Sequence, residues 1–439
     1  MNLFGKKLFR KFKSTDVYEK EMDELFQSYE RYTALEKSDL LKEYLALRKE
    51  VKSAEFKENK KILINRKFKD TKEYDDWKKF NKLERNRGLH AYMELASSPQ
   101  LKEFLAFKST PEYELIGNKL ALAKSEKLRQ FRAYEKSADY KTYTRFHDSY
   151  IFKEYQRLKA VVTAPEFIKF KNFWSNPQRW KTTDAYKQEE KFNQLSDHAD
   201  IVFYKKTDPE LFRFWKTWKH TFGDEFRGVS LDRSKWDFGY YFSDPSLIRD
   251  YSLAEQKQAN NNGKNVSVAN GALTIKTLAE ETTARAWDAT TGFITKKFNY
   301  TSDIINAGET YRFTKGMVQV KLRTGGGRIT HVCSLVGEKQ TPQINIFHAD
   351  GNRISVGYAS HETRQTEMIK GISPSNYYIY QLEWNDNELI WNINNVEVFR
   401  SSGNIPNTPL FPLFASLVDA HQDDAGVLDV DWIRIYQKK

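Results

Sequence analysis

Residues 265–277 read NVSVANGALTIKT. Val266 and Val268 alternate with polar residues, Asn270-Gly271 supplies a turn, and Leu273 and Ile275 resume the alternation. Two alternating runs joined by Asn-Gly are the strongest short-range sign of a β-hairpin, because the tight turn needs positive φ at both central residues. The same period-2 pattern continues downstream in GMVQVKLRTG, QINIFHADG, RISVGYAS, NYYIYQLEWNDNELIWNINNVEVF and GVLDVDWIRIYQ. Polar turns separate these runs, and no helical pattern intervenes. Residues 215–439 are therefore expected to form an all-β sandwich or jelly roll.

Upstream the pattern is different. Residues 1–210 hold only Gly5, Gly88 and Gly117 of the 20 glycines, and +11 of the formal +12 charge lies before residue 211. A loose phrase recurs as KSDLLKEYLAL, SSPQLKEFLAF, KSADYKTYTRF, TAPEFIKFKNF and TDPELFRFWKTW. Each opens with Ser or Thr, often followed by Pro or Ala and then an acidic residue or Gln. Such residues start helices: the hydroxyl accepts an orphan backbone N–H, Pro suits the first turn, and a carboxylate favours the positive end of the dipole. Aromatics then recur at helical spacing, as in Phe167, Phe170 and Phe173. The spacing between phrases is too irregular for a strict solenoid. Residues 1–214 are thus expected to be a basic, repeat-like, irregular array of short α-helices. The whole chain reads as a multidomain protein, α followed by all-β.

Composition excludes several classes. A lone cysteine, Cys333, permits no internal disulfide framework and reads as a small buried hydrophobe. No run approaches the ~20 apolar residues of a membrane span. The opening MNLFGKKLFRKFKS lacks the apolar core of a secretory signal, so a cytoplasmic location is the default expectation, with non-classical export or incorporation into a virion left open. Basic and apolar residues in 1–14 also suit peripheral contact with an anionic membrane. The aromatic stripes read as helix core rather than base-stacking platforms, so a nucleic-acid partner is disfavoured and a protein partner for the helical half is favoured.

The order of motifs from residue 219 resembles glycoside hydrolase family 16, the laminarinase- and lichenase-like jelly rolls. FGDEFRGVSLDRSKW is similar to the family's opening motif, carried by Asp224, Glu225, Phe226, Gly228, Leu231, Asp232 and Trp236. NVSVANGALTIKT resembles its first inner hairpin, YRFTKGMVQVKLRTG the strand before the active site, the segment holding Trp384 a later hairpin, and LDVDWIRIYQ the closing strand. The resemblance covers essentially all of 219–439. It implies a concave sugar-binding face and a strand bearing Glu-hydrophobic-Asp-hydrophobic-x-Glu.

That strand departs from the family pattern. TPQINIFHAD (341–350) puts Gln343 at the nucleophile position, Asn345 at the assisting acid and His348 at the acid/base. Retaining hydrolysis needs two carboxyl groups about 5–5.5 Å apart, and none of these three residues supplies one. Glu338 and Asp350 are the nearest carboxylates in sequence. The segment preceding the strand, GGGRITHVCSLVGEKQ, also lacks the tryptophans that the resemblance implies for sugar subsites. A saccharide-binding cleft would then draw on Gln343, Asn345, His348, His331 and Arg328 for hydrogen bonds, and on Trp287 for an aromatic platform. No cofactor is expected. No metal is expected either, although Asp431 sits where the resemblance implies a structural calcium in some relatives.

Three functions fit these readings. The first is a non-catalytic carbohydrate-recognition protein with a helical docking arm, its ligand a β-glucan-like or other polysaccharide. The second is a surface or virion-associated structural protein using the jelly roll as an interaction module. The third is an active endo-β-glucanase-like hydrolase with displaced catalytic groups.

Overall fold

The structure, a computed structural model, describes residues 12–439, so the basic segment 1–14 lies mostly outside it. The described chain forms two units. One is Ala34–Thr207; the other is Asp208–Lys439 together with the described residues up to Thr33.

The unit Ala34–Thr207 is helical throughout, and its helix starts follow the expected chemistry. Ser38, Ser53, Ser98, Ser125, Ser137 and Ser149 each accept a hydrogen bond from a backbone N–H three residues on. Pro99 follows Ser98 in the first turn. In TAPEFIKFKNF the phrase is offset: Ala164 takes the cap position without a side-chain bond, and Thr163 closes the preceding helix. The aromatics face inward, as in the cluster of Tyr92, Phe104, Phe107, Tyr134 and Tyr143, and in a second cluster around Tyr44, Trp180 and Phe192.

The other unit is a two-sheet sandwich. Its eight-stranded sheet runs Val396–Ser402, Glu388–Ile393, Tyr378–Trp384, Gly316–Gly326, Gly426–Lys438, Ala272–Thr277 and Val266–Ala269, with Trp218–Asp224 also paired to Gly426–Lys438. The seven-stranded sheet runs Arg364–Ile369, Arg353–Ala359, Gln343–Asp350, Thr330–Val336, Phe411–Leu417, Ile304–Asn306 and Asp237–Phe238. Neighbouring strands within both sheets are antiparallel. The expected hairpin is present: Asn270 and Gly271 both have positive φ between strands paired from Val266–Ile275 to Ala269–Ala272.

One continuous core fills the space between the sheets, including Val318, Val320, Cys333, Leu335, Ile346, Phe347, Trp384, Trp391 and Ile433. The opening motif locks onto it. Trp236 is fully buried, its indole Nε1 donates to Asp224 Oδ2 at 3.0 Å, and Asp224 Oδ1 accepts from the Phe226 N–H at 2.9 Å. A helix, α1 (Thr15–Lys37), precedes all of this. Its start joins the sandwich unit: Thr15 Oγ1 donates to the Tyr377 carbonyl, and Asn394 Nδ2 donates to the Lys13 carbonyl. Among the described residues no helix is long and apolar enough to cross a membrane.

Candidate functional site

The strand Gln343–Asp350 lies inside the seven-stranded sheet, flanked by Thr330–Val336 and Arg353–Ala359. Ile344, Ile346, Phe347 and Ala349 are buried in the sandwich core, whereas Gln343, Asn345, His348 and Asp350 are half-buried on the opposite face. Strict alternation would turn His348 inward. A β-bulge prevents this: pairing passes from Ser334↔Asn345 to Cys333↔Phe347, so the strand carries one extra residue at Ile346. Gln343, Asn345 and His348 therefore share a face.

There the two amides and a serine close on one another. Gln343 Nε2 donates to Asn345 Oδ1 at 2.7 Å, and Ser334 Oγ donates to the same oxygen at 2.6 Å. Gln343 Nε2 also lies 3.3 Å from Ser334 Oγ. His348 Nδ1 makes a long contact of 3.5 Å with Ser355 Oγ. Burial holds the His348 pKa below its ordinary value, against the opposing pull of Asp350 and Asp419. The groups at 343, 345 and 348 are thus neutral and hydrogen-bonding at physiological pH, with no nucleophilic carboxylate among them.

The nearest carboxylates in sequence are committed elsewhere. Glu338 accepts from the Ser243 N–H at 2.8 Å and from the Ser243 hydroxyl. Asp350 binds Gln422 at 2.9 Å and Arg353 at 2.5 Å. Glu338 lies before the start of the strand and Asp350 at its end, so at ~3.3 Å per residue they are on the order of 20 Å apart. A hydrolytic pair needs at most about 9.5 Å.

The other expected site residues separate. His331 pairs with Ala349 and Ser416, so it points to the core side, away from His348. It is 1% exposed, with Nδ1 at 2.9 Å from Ser416 Oγ. Arg328 is exposed at the far end of the strand, beside Asp350, Gly351 and His421 in a hollow of about 510 Å³. Trp287 lies on the hairpin of Thr282–Asp288 and Gly292–Phe298 and is 42% exposed. A chain of rings leads back from it to the sheet: Trp287 to Phe293 at 5.0 Å, Phe293 to Tyr251 at 5.4 Å, and Tyr251 to Tyr240 at 4.6 Å. Tyr240 packs with Val332, Val336 and Phe411. Val332 pairs with His348 and Val336 with Gln343, so this apolar cluster shares the face of the amides.

Sequence reasoning missed Ser334, Tyr240, Tyr251 and Phe293. Phe293 was within reach, since it faces Trp287 across an alternating hairpin; the others carry no local signal. Asp431 is held by an ammonium group, Lys321 Nζ at 2.8 Å, and Glu225 by both nitrogens of Arg434 that face it, at 2.7 and 2.9 Å.

No family profile matches the sequence. A glucan endo-1,3-beta-glucosidase A1 of Niallia circulans is 23% identical over 289 residues, 56% of this chain and 41% of that protein. The chain thus spans about two fifths of the length of that curated relative. Among solved structures, the laminarinase catalytic domain of Thermotoga maritima MSB8 aligns with 99% of its chain and 51% of this one, at 15% identity and a TM-score of 0.41. The LamA catalytic domain of Zobellia galactanivorans covers 50% of this chain and aligns over 98% of its own, at 18% identity and a TM-score of 0.40. The C-terminal half of the chain is a β-sandwich jelly roll, and part of the chain is similar in sequence to that glucan endo-1,3-beta-glucosidase.

Proposed function

We propose that this family 16-like jelly roll recognises a β-glucan-type polysaccharide without cleaving it, with the helical residues as its docking arm. One observation carries the reading. Gln343 and Asn345, on the strand where the family pattern has its acids, form a closed hydrogen-bonded set with Ser334 of the neighbouring strand. An amide preserves much of the shape of a carboxylate and still bonds hydroxyl groups, but it offers no anionic oxygen to attack an anomeric carbon. The exposed rings of Trp287 and Phe293 supply the apolar side of a sugar site.

The test is binding of laminarin to the full chain with product analysis, beside the triple variant Gln343→Glu, Asn345→Asp, His348→Glu. Binding without release of reducing ends, and release by the triple variant, is the expected result. Release by the natural chain would sink the proposal. It would favour a displaced mechanism around Asp350 and Asp419, the two carboxylates whose charge acts on His348. Absence of binding would remove the recognition role.

A further inference from the structure

The eight-stranded sheet carries a cavity on its outer face. Val318, Val320, Ile433 and Ile435 of its central strands point into the sandwich core, so the alternate residues Gln319, Trp432, Arg434 and Tyr436 point away from it. Above them lie α1 and the short helix Arg213–Thr217, which together enclose a cavity of about 750 Å³. That volume falls within the ~300–1,000 Å³ typical of small-ligand sites. A second hollow of about 360 Å³ shares His220, Glu225 and Arg227 with it, which extends the space into a trough. The cleft strand 343–350 belongs to the other sheet, so the full thickness of the sandwich separates the two sites.

The walls define the ligand chemistry. Aromatic rings line much of it: Phe214 lies 5.2 Å from Tyr436, and Trp215 lies 5.6 Å from Phe26. Planar polar groups stand among them, namely the bidentate Glu225–Arg434 pair and the Gln319 amide, which bonds Gln381 at 2.7 Å. The charges nearly balance. Glu225 is paired with Arg434, the exposed Asp23 and Arg227 have opposite signs, and Glu19 shares Lys321 with Asp431. Such a trough offers no excess of positive charge to an anion, and its polar groups do not suit a lipid chain. A ring with one apolar face and a rim of hydroxyls uses both kinds of group at once, donating to carboxylates and accepting from guanidinium groups.

We propose that this trough is a second saccharide site, taking a neutral gluco-oligosaccharide on the face opposite the cleft. It does not depend on the cleft reading. The test uses the full chain labelled with 5-fluorotryptophan, the Trp215, Trp432 and Trp287 resonances being assigned by single Trp→Phe variants. Laminaritetraose, cellotetraose and maltotetraose are titrated in turn. At least one probe is expected to shift Trp215 or Trp432 saturably, both in the natural chain and in the cleft variant Gln343→Ala, Asn345→Ala. Arg227→Ala removes a charged hydrogen-bond donor at the exposed rim and is expected to weaken that shift about tenfold.

Silent Trp215 and Trp432 resonances with all three probes at millimolar concentration would overturn the proposal. So would loss of their shifts in the cleft variant, which would mean an effect transmitted from the other sheet. Unchanged affinity in Arg227→Ala together with Gln319→Ala would overturn it too. Trp287 reports the cleft separately, so failure at one site is distinguishable from failure at the other.

Discussion

The indole Nε1 of Trp391, on the eight-stranded sheet, donates a 2.9 Å hydrogen bond to the backbone carbonyl of Asn345 on the seven-stranded sheet. It crosses the core at the point where ladder pairing with the 353–359 strand jumps from Asn345 to His348. The bulge that keeps His348 beside the amides is thus anchored from behind by a fully buried side chain of the other sheet.

Trp391→Phe keeps most of the ring volume and removes this donor. Leaving a buried carbonyl without its partner costs about 1–3 kcal/mol. Urea unfolding is expected to show that loss, and laminarin affinity is expected to fall as the bulge relaxes. An unchanged midpoint would show that the Trp391–Asn345 bond carries no net stability.

Acid sensitivity is expected from His331. Burial pushes its pKa down to about 4, and its Nε2 has no hydrogen-bond partner. In the unfolded chain the imidazole takes a proton near its ordinary value of about 6.5. A depressed folded pKa means that the stability is present above about 6.5 and is lost as pH falls towards 4, to a total of about 3 kcal/mol. His220 and His348 are also shifted down, so they contribute the same sign. Urea midpoints between pH 7 and pH 4 should therefore fall less steeply in His331→Gln than in the natural chain, and equal slopes would refute the assignment.

Trp287→Ala tests the aromatic side of the cleft. Trp287 is 42% exposed and packs edge to face on Phe293, so its removal leaves the core intact. Loss of one aromatic face is expected to lower laminarin affinity by about 1 kcal/mol, roughly fivefold, with thermal stability nearly unchanged. A loss of stability without loss of affinity would make Trp287 a packing residue.

Lys321 holds α1 on the sandwich. Its ammonium lies 2.9 Å from Glu19 and 2.8 Å from Asp431. Lys321→Met leaves both carboxylates without their partner, and two charge-assisted bonds at a partly exposed site are worth about 2 kcal/mol. Hydrogen exchange of backbone amides in 15–33 is expected to accelerate, while amides of the 343–350 strand keep their protection. Unaltered exchange in 15–33 would mean that Thr15 and Asn394 hold the helix without help.

Much of this architecture is written locally. Asn270-Gly271 dictates a hairpin because only a few residue types tolerate its backbone angles, and the serines from Ser38 to Ser149 start helices because each caps an N–H three residues away. The identities of Gln343, Asn345 and His348 likewise removed the carboxylates before any fold was known. Register and facing were decided elsewhere. His331 reads as a cleft residue in the sequence, yet its pairing with Ala349 turns it into the core. His348 is three residues beyond Asn345 and would face inward without the bulge at Ile346. The docking of Thr15 against Tyr377, 362 residues away, has no trace in either segment. Caps, turns and alternation act over a few residues and so survive in any one-dimensional reading. A bulge, a facing direction and a docked helix depend on partners chosen across hundreds of residues, and only the packed sheets make that choice.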